Sequence, residues 1–521
     1  MFVQTVSALD AVALGLTVIS IVCADLRWLR VAQREHYLAG AAARFAWRWW
    51  SSTALNLSLV LLAAAGAVGA AFAPASVIVT AGVVAAAPLG LGLKGRTSRL
   101  SWTRRLALAA GLGAALETLA VALAGAFGGL LGAVVAAGLV AIATPVLLDA
   151  ALFVLRPVED MLAQRYVRRA VDRLEQFRPL VVGITGSYGK TTTKNYVAYL
   201  LAGEYSVVAS PRSFNNRAGL SRTVNDHLVA GTDVLVAEMG AYGPGEIAAL
   251  CAWLRPEIAV ITSVGQSHLE RFGNLERTLE AKAEITAGAR VAILNVDDAR
   301  LAGLAKRLEG AHKVLRISGT DANADVAVLA NEVGLELYVG GKLWGVAPLK
   351  AESHTPIRTN AACAAAVALE LGVAPAVVLA RLGSLPGVPN RLQRYYAEGG
   401  YLVLDDTFNA NPAGARHALE VLACAAPTGR RMLVTPGIVE LGRAQRAENA
   451  AFAEQAAQSA TDVVIVARTN RSALLEGSQR VARPPVVKLV AKREQAVEWA
   501  RAELGPDDAV LFENDLPDHF P

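Results

Sequence analysis

Residues 183–193 carry the clearest chemistry in this chain. They read Gly-Ile-Thr-Gly-Ser-Tyr-Gly-Lys-Thr-Thr-Thr, after an apolar approach at 180–184 and before a helix-like run at 193–201. Glycines let backbone N–H groups turn toward an anion, and the first turn of a helix adds partial positive charge. Thr185, Gly186, Ser187, Tyr188, Gly189, Lys190, Thr191 and Thr192 would thus cradle the phosphates of ATP. In that reading Lys190 reaches a β- or γ-phosphate and the Thr191 hydroxyl holds Mg²⁺. Ile184 stands where the strict GxxxxGK[ST] pattern has its first glycine. The alternative is a plain glycine turn before a helix.

Other polar residues close apolar runs. Glu238 follows 234–237, and His268 follows 258–264 across a Gly-Gln-Ser turn. Strand ends of one parallel sheet share a rim, so a carboxylate and an imidazole there could hold Mg²⁺ beside the γ-phosphate. Taken singly, the His reads as structural and the Glu as a surface group. Lys282 reads equally as a surface lysine, and Asn295 as a cap or an adenine contact. Asp405 and Asp406 end another apolar run.

Positioning these groups requires a sheet. From residue 179 short β-rich runs (180–184, 234–237, 258–262 and 291–294) alternate with helical stretches, which predicts a mainly parallel α/β domain over 179–385. A Pro-Gly-Val-Pro-Asn break at 386–390 precedes a second α/β pattern with runs at 401–404, 432–434, 463–466 and 509–512, giving a smaller domain over 386–521. ATP would sit at the C-terminal ends of the first sheet's strands.

The first third is different. The chain is 54% hydrophobic with mean hydropathy +0.38, and the excess lies in five apolar segments at 5–24, 53–73, 76–93, 106–125 and 130–155. Each approaches the ~17–25 residues that cross a bilayer as a helix. This predicts a membrane domain of five transmembrane helices over 1–155 and a charged linker helix over 156–178. Arg27, Arg30, Arg34, Arg44 and Arg48 fill one connection, and Lys94, Arg96, Arg99, Arg104 and Arg105 another. The positive-inside rule puts both in the cytoplasm, the N-terminus outside and the catalytic domains inside, on an inner membrane. Trp47, Trp49 and Trp50 suit an interfacial belt. Glu117, inside the fourth segment, is either functional or bonded to a neighbour. A net charge of +5 calls for no nucleic-acid partner, since much of the basic excess lies in these connections. Cys23, Cys251, Cys363 and Cys424 have no metal or disulfide spacing.

Eight ordered blocks between 181 and 442 resemble the Mur ligases, the ATP-dependent amide-forming enzymes of cell-wall peptide synthesis, and among them the branch that adds D-alanyl-D-alanine. The blocks are TGSYGKTTTKNYVAYLL, SFNNRAGLSRTV, VAEMGAYGPGEIAALCAWLRPEIAVITSVGQSHLERFG, EAKAEI, AILNVDDARL, NRLQ, DDTFNANPAGARHAL and VELG. The resemblance implies that Lys190 meets ATP and that Thr191, Glu238, His268 and a carbamylated Lys282 hold two Mg²⁺. It implies that Asn295 meets adenine, and that Arg391 and Asp406 reach the nucleotide on domain closure. Asn215, Asn216, Asn409 and Asn411 would face substrate. A carboxylate, on a UDP-linked or lipid-linked acceptor, would become an acyl phosphate and then be joined to an amino acid or dipeptide amine. The peptidoglycan precursor pair, UDP-linked tripeptide and D-alanyl-D-alanine, is the model, with membrane lipids as further partners.

The chain departs from the family at four places. Membrane segments replace the UDP-binding domain. The Gly-x-His-Asn…Asn block appears as Ser353-His354-Thr355 with Asn360, the LGDMxELG block begins Thr435-Pro436-Gly437, and 513–518 read Glu-Asn-Asp-Leu-Pro-Asp where Lys-Gly-Ser-Arg is usual. Competing readings are a ligase for another peptide polymer such as polyglutamate, a catalytically silent membrane scaffold, and an ATP-driven transporter. Intact Lys190, Glu238, His268 and Lys282 speak against a scaffold, and the absence of a strict phosphate-loop pattern and a transporter signature against transport.

Overall fold

The computed structural model describes residues 8–95, 99–266, 269–349, 357–408 and 410–521, so His268, Asn409 and the 353–355 block lie outside the described residues. The chain forms two compact units. The first holds residues up to Met161 together with Leu516–Pro521, and the second is Leu162–Asp515.

The first unit is helical: α1 (Ala8–Arg34), α2 (Ala41–Trp50), α3 (Ala54–Gly69), α4 (Val77–Ala86) and α5 (Arg104–Phe177), the last continuing into the second unit. The sequence predicts about five spans in this unit. Among the described residues two helices are long and apolar enough to cross a membrane, or three if α2 and α3, bent by 111°, count as one. The 10 residues of α4 rise only about 15 Å at ~1.5 Å each, half a bilayer core. Pro74 and Pro88 bracket it, and proline interrupts a helix that the apolar pattern alone would extend. The fourth and fifth segments lie on either side of Gly129, the non-helical residue within α5 (φ 62°, ψ −155°). The expected linker helix is no separate element but the end of α5.

Small residues and buried polar ties hold this unit together. A Cβ on Gly66 would lie 2.7 Å from Thr80 Oγ1, so glycine lets α3 and α4 meet, and Thr80 donates to the Ala63 carbonyl at 2.7 Å. Arg27 donates to the carbonyls of Val84, Ala85 and Leu91, which satisfies the open end of α4. Asp149 accepts from the N–H groups of Ala42 and Ala43 and does the same for the start of α2. Residues 516–521, expected in the last α/β domain, pack here. Trp49 Nε1 donates to the His519 carbonyl at 2.6 Å, His519 Nε2 is 3.0 Å from Glu35 Oε1, and Phe520 stacks edge-on to Phe45. Trp49, expected at the interface, is thus buried.

The second unit carries both α/β patterns. Its larger sheet is built from β1 (Leu180–Thr185), α6 (Lys190–Leu201), β2 (Val207–Ala209), α7 (Arg217–His227), β3 (Val234–Glu238), α8 (Glu246–Leu254), β4 (Ile258–Ile261), α9 (Leu269–Phe272), α10 (Leu275–Ala283), β5 (Val291–Asn295), α11 (Ala299–Leu308), β6 (Lys313–Ser318), β7 (Val326–Ala330), β8 (Gly334–Val339), β9 (Lys342–Pro348), α12 (Arg358–Glu370) and α13 (Pro375–Leu382). The strand order is β2-β3-β1-β4-β5-β6-β7-β8-β9, parallel through β7 and antiparallel beyond. Valine and isoleucine fill the central strands because helices cover both faces. The order reverses at β1, whose neighbours β3 and β4 leave on opposite sides, and ligands bind outside the carboxyl ends of strands at such a point.

The smaller sheet comprises β10 (Gln393–Tyr396), β11 (Leu402–Asp406), α14 (Pro412–Ala425), β12 (Arg431–Thr435), α15 (Gln445–Ser459), β13 (Asp462–Val466), α16 (Arg471–Ser478), β14 (Val486–Val490), α17 (Arg493–Glu503) and β15 (Ala509–Glu513). The order is β10-β11-β15-β12-β13-β14, with only the β10 edge antiparallel. The eight expected strand runs all fall on strands. The sequence reading does not name β2, β6 to β10 or β14; β2 is three residues long, and β10 and β14 are largely exposed.

Candidate active site

The phosphate loop joins β1 to α6. Gly186 has φ +148°, and a Cβ there would strike Thr262 Oγ1 at 2.1 Å; Gly189, at φ +80°, starts α6 with Asn360 Oδ1 2.4 Å from where its Cβ would be. Only glycine fits both positions. The loop is pinned to the end of β4: Gly265 N donates to Ser187 Oγ at 2.9 Å, Tyr188 N donates to Ser263 Oγ at 2.9 Å, and Thr262 Oγ1 donates to the Tyr188 carbonyl. Lys190 Nζ folds over the loop and donates to the carbonyls of Gly186 at 2.8 Å and Ser187 at 3.3 Å. Burial pulls its pKa down to about 8, against the attraction of Glu238.

Glu238, at the end of β3, is 1% exposed and is the centre of the site. Its Oε2 accepts from Thr191 Oγ1 at 2.9 Å and its Oε1 from Asn215 Nδ2 at 3.1 Å. Lys194 Nζ stands 3.5 Å from Oε2. A hydroxyl and a carboxylate touching beside a phosphate loop form the hard oxygen set that Mg²⁺ takes, and a carboxylate retains lone pairs after three donors. Among the described residues there is no group of three His, Cys, Asp or Glu able to hold a metal. Mg²⁺ needs none, because it is held by one or two protein ligands together with phosphates and water.

Lys282 on α10 is 3% exposed, with its ammonium 5.4 Å from the centre of the Phe272 ring. It is therefore no surface lysine. Burial, and then the charge of Lys190, bring its pKa down to about 7. Arg391 stacks 4.7 Å from the Phe408 ring, and its charge is felt by Asp406 and Glu238. Asp406 Oδ1 accepts from Leu392 N at 3.1 Å. Beside it, and in register on β15, is Glu513, fully buried.

The other expected residues sit in structural bonds. Asn295 ties β5 to β4 by donating to the Thr262 carbonyl at 3.0 Å and accepts from Asp297 N at 3.1 Å. Asn216 caps α7 by accepting from Gly219 N at 2.9 Å, and Asn411 caps α14 by accepting from Gly414 N at 2.8 Å. The sequence reading missed Lys194 and Glu513. Lys194 follows Lys190 by four residues and so shares its helix face, a spacing that could have found it; nothing local marks Glu513.

A glycine-bounded phosphate loop at the switch point of a parallel sheet, with a buried carboxylate on its threonine, defines an ATP-using enzyme of the P-loop α/β class. The Mur ligase middle domain matches residues 184–366, and the Mur ligase glutamate ligase domain matches 390–513. The UDP-N-acetylmuramoyl-tripeptide–D-alanyl-D-alanine ligase of Mycobacterium tuberculosis H37Rv is 36% identical over 360 residues, covering 64% of this chain and 69% of that protein. The Escherichia coli K12 enzyme of that name is 32% identical over 332 residues, 60% of this chain and 72% of its own length. Among solved structures, MurF from Thermotoga maritima in complex with ADP superposes with a TM-score of 0.59 at 27% identity, covering 68% of this chain and 80% of that one. MurF from Acinetobacter baumannii gives 0.58 at 25%, covering 68% and 77%. The chain belongs to the Mur ligase family and is an ATP-dependent ligase that forms amide bonds.

Proposed function

We propose that this enzyme acts in peptidoglycan precursor synthesis, joining a dipeptide amine to a peptide carboxylate, with D-alanyl-D-alanine and a UDP-linked tripeptide as the substrate pair. The support is the activity named for its relatives, taken with one observation: the Thr191 hydroxyl bonded to Glu238 beside Lys190.

The reaction has two steps. A carboxylate oxygen attacks the γ-phosphorus of ATP, the bond to the β-phosphate oxygen breaks, and ADP leaves an acyl phosphate. The amine then attacks the carbonyl carbon, the tetrahedral adduct loses a proton, and the carbon–oxygen bond to phosphate breaks. Lys190 and the loop N–H groups hold the phosphates and offset the charge of the group in transfer. Arg391, from the segment between α13 and β10, brings a second cation. Mg²⁺, held by Thr191 and Glu238, with His268 and the carbamate of Lys282 completing two sites, would supply further charge neutralisation. Carbamylation needs a neutral amine, and a lysine with a pKa of about 7 provides one near neutral pH. Closure of the smaller sheet's domain would keep water from the acyl phosphate.

We further propose that the first unit attaches the enzyme to a membrane, with α1 crossing from outside and its arginine-bearing C-terminal end, α2 and the second unit on the cytoplasmic side. The test is a substrate screen with the full-length protein in detergent, pairing UDP-linked and lipid-linked tripeptides with amino acids and D-alanyl-D-alanine. Phosphate release and an amide product should appear only when acid and amine are both present. A lack of product with every pair, in protein that binds ATP, would refute the substrate assignment.

A further inference from the structure

Lys194 lies one helical turn beyond Lys190, is 1% exposed, and has no part in the chemistry above. Its ammonium stands 3.5 Å from Glu238 Oε2 and donates to the Arg212 carbonyl. These contacts belong to different parts of the site. Glu238 receives the Thr191 hydroxyl. Arg212 belongs to the segment 210–216, which returns repeatedly to the end of β3. Glu238 N donates to Ser210 Oγ at 3.2 Å, Asn215 Nδ2 donates to Glu238 Oε1 at 3.1 Å, and Gly240 N donates to the Asn215 carbonyl at 2.7 Å. The segment ends at Asn216, the cap of α7. A buried ammonium is tolerated only when paired and hydrogen-bonded, and here one carboxylate and one carbonyl meet both conditions.

We infer that Lys194 is a positioning residue: it locks the Glu238 carboxylate and the segment 210–216 to α6, so that the phosphate side and the Asn215 side of the site move as one body. The inference rests on the proposed role of Glu238 at Mg²⁺. Removing Lys194 has two effects of opposite sign. Loss of a cation beside a carboxylate leaves a more negative site, which by itself tightens a divalent ion. Release of Glu238 and the segment from their anchor weakens it, by about 10- to 100-fold for a group that orients a metal ligand. Weakening therefore marks positioning, and tightening marks charge alone.

The experiment titrates Mn²⁺ into the ADP complex of full-length protein in detergent, followed by electron paramagnetic resonance, with metal-free ADP affinity measured separately. Lys194→Met should weaken Mn²⁺ about tenfold or more while metal-free ADP binding stays within about twofold, because Lys190 and the loop amides are untouched. Lys194→Arg, which restores charge and donor, should recover most of the loss. Unchanged or tighter Mn²⁺ binding in Lys194→Met overturns the inference. Glu238→Gln tests the reading beneath it: if that variant binds Mn²⁺ like the parent, Glu238 is no ligand, and both ideas fail at that residue and not at Lys194. Should Lys194→Met not fold, Asn215→Ala cuts the other tether with α6 intact; weaker Mn²⁺ binding supports the inference and unchanged binding overturns it.

Discussion

Thr191 Oγ1 donates to Glu238 Oε2 at 2.9 Å, joining the first turn of α6 to the end of β3 across 47 residues of sequence. The contact makes the phosphate loop and a neighbouring strand end one site, and it orders the consequences of mutation.

Lys190→Ala should lower kcat by about 10²–10³, the usual loss when one preorganised donor to a developing charge is removed. Thr191→Ser should stay close to the parent, whereas Thr191→Val should raise the Mg²⁺ concentration needed for half-maximal rate. Steady-state phosphate release at varied Mg²⁺ checks all three. A fully active Lys190→Ala would remove the phosphate loop from the mechanism.

Lys282, with a pKa of about 7, should carry a carbamate. Protein equilibrated with ¹³C-bicarbonate should give a carbamate carbon resonance that is missing from Lys282→Arg. Linkage gives a second signature. The folded pKa lies below the unfolded 10.5, so between about pH 7 and 10.5 the unfolded chain binds more protons, and stability should rise with pH across that window. Lys282→Met should flatten that rise in thermal melts under CO₂-free buffer.

Glu513 has the opposite sign. Burial, and then the neighbouring Asp406 through its charge and a hydrogen bond, hold its carboxyl well above the ordinary glutamate range. The unfolded chain loses this proton first, so stability falls as pH rises above the ordinary glutamate pKa. Glu513→Gln should therefore gain stability over the parent at pH 8, and the gain should shrink toward pH 4. A pH-independent difference would show that this carboxyl ionises normally.

Gly240→Ala would place a methyl 2.8 Å from Asn215 Cγ, with the Asn215 side chain already committed to Glu238. We expect a destabilisation of about 1–3 kcal/mol and a loss of turnover larger than that of Gly288→Ala, whose added methyl meets nothing. Denaturant melts and kcat on the two variants decide it.

Membrane attachment predicts that the full chain sediments with membranes and resists alkaline carbonate extraction. Release into the supernatant would limit the first unit to a peripheral role.

The phosphate loop and the strands that aim it were legible because their signals are local: a buried run of Val and Ile, then glycines, then a helix opening on Lys and Thr. Glu238 was legible for the same reason, as the polar residue closing such a run. Lys282 was named only through the family resemblance; its burial depends on contacts such as Phe272 on α9, outside its own helix. The helix-capping use of the Asn216 and Asn411 oxygens was not read, since the following sequence permits a cap but does not require one. Hydropathy measures apolar length and is blind to proline, so 76–93 read as a full span where Pro74 and Pro88 leave α4 only 10 residues. Glu513 meets Asp406 only through the pairing of β11 with β15, a register that no local pattern reveals.

Residues 516–521 complete the first unit. Trp49 bonds a carbonyl 470 positions downstream, and Glu35 meets an imidazole 484 positions away. Until residues 516–521 have been made, the helices keep open places in their packing. A chain cut before residue 516 would leave Trp49 and Phe45 without these contacts, exposing apolar surface on the helices.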